Sequence, residues 1–92
     1  MINKLSTYIG FAKKSNKIVV GTDNIIASNK CKIVLVSDEL SDNSKKKIEK
    51  KYKVFKISAN VFNEVVNMEA VKAVAITDEN LASAIRNLLE VQ

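Results

Sequence analysis

The chain has 92 residues, 47% hydrophobic and 27% charged, with a formal net charge of +5, the make-up of one soluble globular domain with a single core. It holds no His, no Pro, two Gly and one Cys, which excludes an internal disulfide and His-based catalysis and argues against a zinc site. No apolar run approaches the roughly 20 residues of a membrane span, and the first residues lack the apolar core of a signal peptide.

Residues 3–14 place Leu5, Tyr8, Ile9 and Ala12 at i, i+3, i+4 and i+7, the apolar stripe of a helix, with Asn3 as its cap. Gly10 inside that helix costs about 1 kcal/mol against Ala, which points to close packing. Ser15 and Asn16 break it before a β-branched strand at 18–20. Gly21 then permits a sharp turn, or a partner's close approach with no Cβ in the way. Asp23 and Asn24 read as the start of a helix over 23–29, with Ile25 and Ile26 inward. That arrangement aims N–H groups and partial positive charge outward after a strand. The same two residues would serve equally in an ordinary strand-to-helix turn.

Residues 31–36, CKIVLV, are near-continuously apolar and predict a strand covered on both faces. Cys31 fits a small buried hydrophobe better than a reactive thiol, and its solitude suits a reducing cytoplasm. A turn at 37–40 leads to a lysine-rich helix over 41–52, apolar only at Ile48 and Tyr52 and hence external. Asp42 near its start and Lys50 and Lys51 near its end agree with the helix dipole. Residues 54–58 predict a third strand, 60–66 a short helix capped by Asn60, and 71–76 a fourth strand after a loop at 67–69. Thr77, Asp78 and Glu79 open a last helix with Leu81, Ala84, Ile85, Leu88 and Leu89 as its core stripe. Strands separated by helices give one α/β domain over 1–92, its sheet carrying helices on both faces. Ligands of such sheets gather where strands run into helix starts. The turn at 21–24 is one such end; that at 77–80 carries two acids that would repel phosphate.

Charge is uneven along the chain. Residues 1–33 set six lysines against Asp23 alone, and 34–56 set seven lysines against four acids. Residues 57–92 set Lys72 and Arg86 against five acids. A basic first part and an acidic last part predict a one-sided field, whose commonest partner is nucleic acid. Lys45–Lys47 fit a solvated face better than a contact. Asp23, Asp38, Glu39, Asp78 and Glu79 form no catalytic pattern and no cofactor loop is present, so neither enzyme nor cofactor is expected.

Three strings carry a family resemblance: YIGFAKKSNKIVVG at 8–21, KIVLVSDELSDNSKKKIEKK at 32–51 and AVKAVAITDENLASAI at 70–85. They resemble the kink-turn RNA-binding superfamily of the ribosomal proteins L-seven-Ae and L-thirty-e, most closely its small bacterial YlxQ-type branch. The resemblance spans nearly the whole chain. It implies a three-layer α/β/α sandwich around a four-stranded mixed sheet, and a monomeric, non-catalytic protein that binds kinked or bulged ribosomal or regulatory RNA, with the ribosome as a further partner. The RNA-binding members show Gly-x-Asn-Glu-x-x-Lys where strand meets helix; here the string is Gly21-Thr22-Asp23-Asn24-Ile25-Ile26-Ala27. Asp at the first of the changed positions is frequent in the YlxQ-type branch, but it cannot donate to guanine as Asn does. Ala27 removes a lysine contact. The family's second RNA loop corresponds to 66–70, VNMEA, where Glu69 is unfavourable near phosphate and the branch's glycines are missing.

The resulting RNA site comprises Gly21, Thr22, Asp23 and Asn24, with Asn67 and Met68 from the second loop, although Met68 also fits a loop anchor. Lys13, Lys14, Lys17, Lys30 and Lys32 are expected to neutralise the flanking phosphates. A protein-interaction module of the same fold, without specific kink-turn recognition, is the alternative.

Overall fold

The computed structural model describes residues 2–90, with side chains from residue 4. Its elements are α1 (Ile2–Lys14), β1 (Ile18–Val20), α2 (Thr22–Ala27), β2 (Ile33–Ser37), α3 (Asp42–Glu49), β3 (Val54–Ile57), α4 (Ala59–Val66), β4 (Ala73–Ile76) and α5 (Glu79–Glu90). The sheet runs β1-β4-β2-β3. β4 is antiparallel to both β1 and β2, whereas β2 and β3 are parallel, so the sheet is mixed, as expected.

Alternation along the strands divides two apolar layers. Ile33 and Leu35 of β2 and Val74 and Ile76 of β4 join Leu5, Ile9, Phe62, Val65 and Ile85 from α1, α4 and α5. Val34 and Val36 of β2 and Ala73 and Ala75 of β4 join Ile25, Cys31 and Ile48 on the α2/α3 side. Every residue of β2 and β4 is buried, which is why their sequences show no polar alternation. The result is the three-layer α/β/α sandwich.

Several boundaries and caps differ from the sequence expectation, each for a local reason. Asn3 lies within α1 rather than ahead of it, and its side chain is outside the described residues. α2 begins at Thr22, with Gly21 at the N-cap position and no side-chain cap, so Asp23 and Asn24 sit inside its first turn. Cys31 precedes β2 but is buried as expected. α3 starts at Asp42, one residue later than expected, with Ser41 as its N-cap and the Ser41 hydroxyl accepting from the Ser44 N–H at 3.3 Å. It stops at Glu49 because Lys51 and Tyr52 turn back onto the α2–β2 connection. Lys51 Nζ donates to the Ile26 carbonyl (2.8 Å) and Asn29 Oδ1 (2.9 Å), and the Tyr52 hydroxyl donates to the Ser28 carbonyl. Burial, and then the neighbouring Cys31 thiol, hold the Tyr52 pKa above its ordinary value, so the hydroxyl keeps its donor proton.

Asn60 does not cap α4, which begins one residue earlier behind Ser58. Asp38 Oδ1 instead accepts from the Ala59 N–H across the sheet end, at 3.1 Å. A cap supplied from 21 residues away leaves no local sequence signal. Asp38→Ala is expected to cost about 1 kcal/mol, the usual size of a lost N-cap, read as a lower urea midpoint at unchanged slope. At α5 the local expectation holds, with Asp78 Oδ2 accepting from the Leu81 N–H at 3.0 Å.

Candidate nucleic-acid interface

The strand directions decide which functional candidates meet. β1 is followed directly by Gly21, whose N–H donates to the Ala73 carbonyl at 2.9 Å. One strand over, the Ser37 N–H donates to the Lys72 carbonyl at 2.9 Å. The turn at 21–24, the loop at 67–72 and the acidic turn after β2 therefore share one end of the sheet.

At this end Gly21 adopts φ 94° and ψ 148°, a region that is essentially glycine-only. Its carbonyl accepts from the Ile25 N–H at 3.0 Å, closing the first turn of α2. Asn24 Nδ2 donates to the Val20 carbonyl at 2.8 Å, fastening the turn to the strand that precedes it. One amide hydrogen and the Oδ1 acceptor are left for a ligand. Gly21 and Thr22 are half-buried, whereas Asp23 and Asn24 are exposed. Beside them Asn67 ends α4 in the left-handed conformation, φ 52°, and Ala70 has φ 62°. Met68 packs against the α1/α4/α5 core, as a loop anchor does. Asn63, Asn67, Glu69 and Lys72 border a shallow depression beside this loop.

Four carboxylates of this end, Asp23, Asp38, Glu39 and Glu69, are exposed. Lys72, a cation that the sequence reading did not assign to the site, is paired with Glu39 at 2.8 Å. Both partners are well exposed, so the pair is worth little to stability, but it neutralises the cation beside Gly21.

The five lysines expected around Gly21 lie at the other end of the sheet. The Thr77 N–H donates to the Lys17 carbonyl (2.9 Å) and the Lys32 N–H to the Ile76 carbonyl (2.8 Å). Lys17 and Lys32 thus stand on either side of the C-terminus of β4. Lys13 and Lys14 close the last turn of α1 directly before Lys17. Asn16, Lys17, Asn29, Lys30, Lys32 and Thr77 line an open cleft of about 570 Å³. Lys17 and Gly21 bracket β1, so at about 3.3 Å per residue their backbones stand roughly 13 Å apart. One surface of eleven residues is therefore corrected to two: Gly21, Thr22, Asp23, Asn24, Asn67 and Met68 at one end, and Lys13, Lys14, Lys17, Lys30 and Lys32 at the other. The spacing of Lys17 and Gly21 across a three-residue strand was the signal that could have separated them. Arg86 also reaches the basic end, its Nη2 donating to the Lys32 carbonyl at 3.1 Å. Asp78 and Glu79, at the start of α5, are the nearby acids there.

Among the described residues no group of three or more His, Cys, Asp or Glu side chains is placed to hold a metal ion, and no helix is long and apolar enough to cross a membrane. No protein-family model matches the sequence. The chain is 30% identical over 91 residues to RNA-binding protein YlxQ of Bacillus subtilis (strain 168), covering 89% of this chain and 91% of that protein. It is 28% identical over 95 residues to RNA-binding protein YlxQ of Enterococcus faecium, covering 95% and 92% respectively. Among solved structures, a protein of unknown function from Bacillus halodurans C superimposes with a TM-score of 0.81 over 95% of this chain and 97% of its own. At 12% identity that likeness speaks for the fold alone.

Proposed function

The chain belongs to the YlxQ family, and from that premise we propose that it is a non-catalytic, monomeric cytoplasmic protein that binds kinked or bulged RNA, ribosomal or regulatory, by its Gly21 end. The RNA-binding names of its two relatives support the partner class. The observation that carries the site is the open backbone at Gly21. Around a notional Cβ at that position the Asn24 amide nitrogen is the near neighbour, at 3.9 Å. A splayed nucleotide can therefore approach the main chain, with Asn24 and the loop at 67–70 beside it. Such an edge suits RNA whose bases are turned out, because regular A-form helices hide their base edges in a deep groove.

The test is a titration of a kink-turn RNA against a mutated, unkinked control in moderate salt. Tighter binding of the kinked RNA is expected. Asn24→Ala should weaken that complex about ten-fold, the usual cost of one lost base-edge contact, and leave the control unchanged. Equal binding of both RNAs, lost equally with salt, refutes specific recognition.

The carboxylates around Gly21 favour a second reading, a protein-interaction module of the same fold. Asp23, Asp38, Glu39 and Glu69 repel phosphate and suit a basic protein surface instead. Under that reading, partners captured from lysate survive nuclease treatment, and the kinked RNA shows no preference.

A further inference from the structure

We propose that the basic end of the sheet is a second RNA site, which holds a single-stranded segment by its phosphates and stacks one base on Phe11. The inference rests on the RNA-binding reading above but concerns the opposite face of the molecule. Two independent features meet there.

The first is charge. Lys17, Lys30 and Lys32 line the open cleft, and Lys13 and Lys14 stand at its α1 side. Lys51 adds a further ammonium group, although its Nζ is engaged by the Ile26 carbonyl and Asn29. Asp78 and Glu79 oppose them, but one Asp78 oxygen is held by the Leu81 N–H. A positively charged groove that is open rather than enclosed tracks a flexible phosphate backbone.

The second is Phe11. Among the described residues it is the large hydrophobic side chain left exposed by the fold, at 55%. Its carbonyl accepts both the N–H (2.9 Å) and the hydroxyl (2.6 Å) of Ser15, a residue of the cleft wall. Ser15 follows α1 directly and continues its i→i+4 bonding, so the Phe11 backbone stands one turn from the cleft wall. A lone exposed apolar side chain is ordinarily unremarkable on a surface. Next to a lysine-lined groove, its ring supplies the stacking platform that sequence-tolerant single-strand sites use.

The experiment compares a kink-turn RNA with and without a single-stranded tail of about eight nucleotides, within the range that single-strand sites cover. A third RNA carries the same tail in abasic form. The tail is expected to tighten binding to the wild-type protein about ten-fold, a typical gain from stacking plus charge. Phe11→Ala should remove most of the gain for the natural tail and change nothing for the abasic one. Lys17→Gln with Lys32→Gln should reduce the gain for both tails and flatten the salt dependence by roughly 0.7 per lysine. Both sites of substitution are exposed, and a circular-dichroism melt checks that the variants remain folded. A tail without effect, or variants that bind the tailed RNA like wild type, overturns the second site while kink preference stands. Loss of kink preference with the tail effect intact overturns the Gly21 reading alone. No RNA binding at all overturns both.

Discussion

Phe62→Ala is expected to remove about 3–5 kcal/mol of stability, the cost of an emptied aromatic site in a packed core. Phe62 is fully buried and heads the largest enclosed side chains among the described residues. It comes from α4, which has only eight residues and is held by Phe62, Val65 and Val66 against the α1 and β2 side chains. So short a helix keeps its shape through packing rather than propensity. A domain of this size has roughly 5–15 kcal/mol in total, so the variant should be marginal at physiological temperature. The readout is chemical unfolding, with a lower midpoint and an unchanged slope. Phe11→Ala is the matched control. With its ring exposed it should stay within about 0.5 kcal/mol of wild type. A loss below about 1 kcal/mol at Phe62 would contradict the close packing of the α1/α4 layer.

The fold was legible because hydrophobic periodicity records burial directly. The CKIVLV run reads as a strand covered twice, and β2 takes up its last four residues, whereas the Leu81–Leu89 stripe reads as a helix lying on a core. What the sequence concealed depends on partners distant along the chain. Asp38 caps α4 from across the sheet end, and Lys51 and Tyr52 end α3 by reaching back to 26–29. Neither contact leaves a local pattern. The separation of the lysines from Gly21 was concealed for a related reason. Lysines clustered in the first third of the chain suggested one field around Gly21, but a strand carries its two ends to opposite sides of a domain. Lys17 and Gly21 flank β1, and so the positive charge and the glycine turn face apart. The four acids of the Gly21 end come from three segments, α2 with Asp23, the turn after β2 with Asp38 and Glu39, and the loop after α4 with Glu69, which only the sheet order β1-β4-β2-β3 assembles.

Gly21→Val tests the turn from which the proposed base recognition proceeds. At φ 94° and ψ 148° an L-residue is strained whatever room it finds, and a β-branched side chain more so. The expected loss of stability is about 1–3 kcal/mol, the cost of one residue held in a sparsely populated region. Relief of that strain must rotate the 20–24 segment, and this breaks the Asn24 amide's bond to the Val20 carbonyl. Kinked RNA should then bind roughly ten- to hundred-fold more weakly, since both the open backbone and one base-edge contact are lost. Asn24→Ala removes only the second of these, so the glycine variant should be the more damaging of the two. Binding is measured where melting shows each variant folded, which separates strain from recognition. Unchanged stability would refute the positive φ at Gly21. Unchanged kink preference in a folded Gly21→Val protein would move RNA recognition away from this end, and the acids there would then have to be explained by a protein partner.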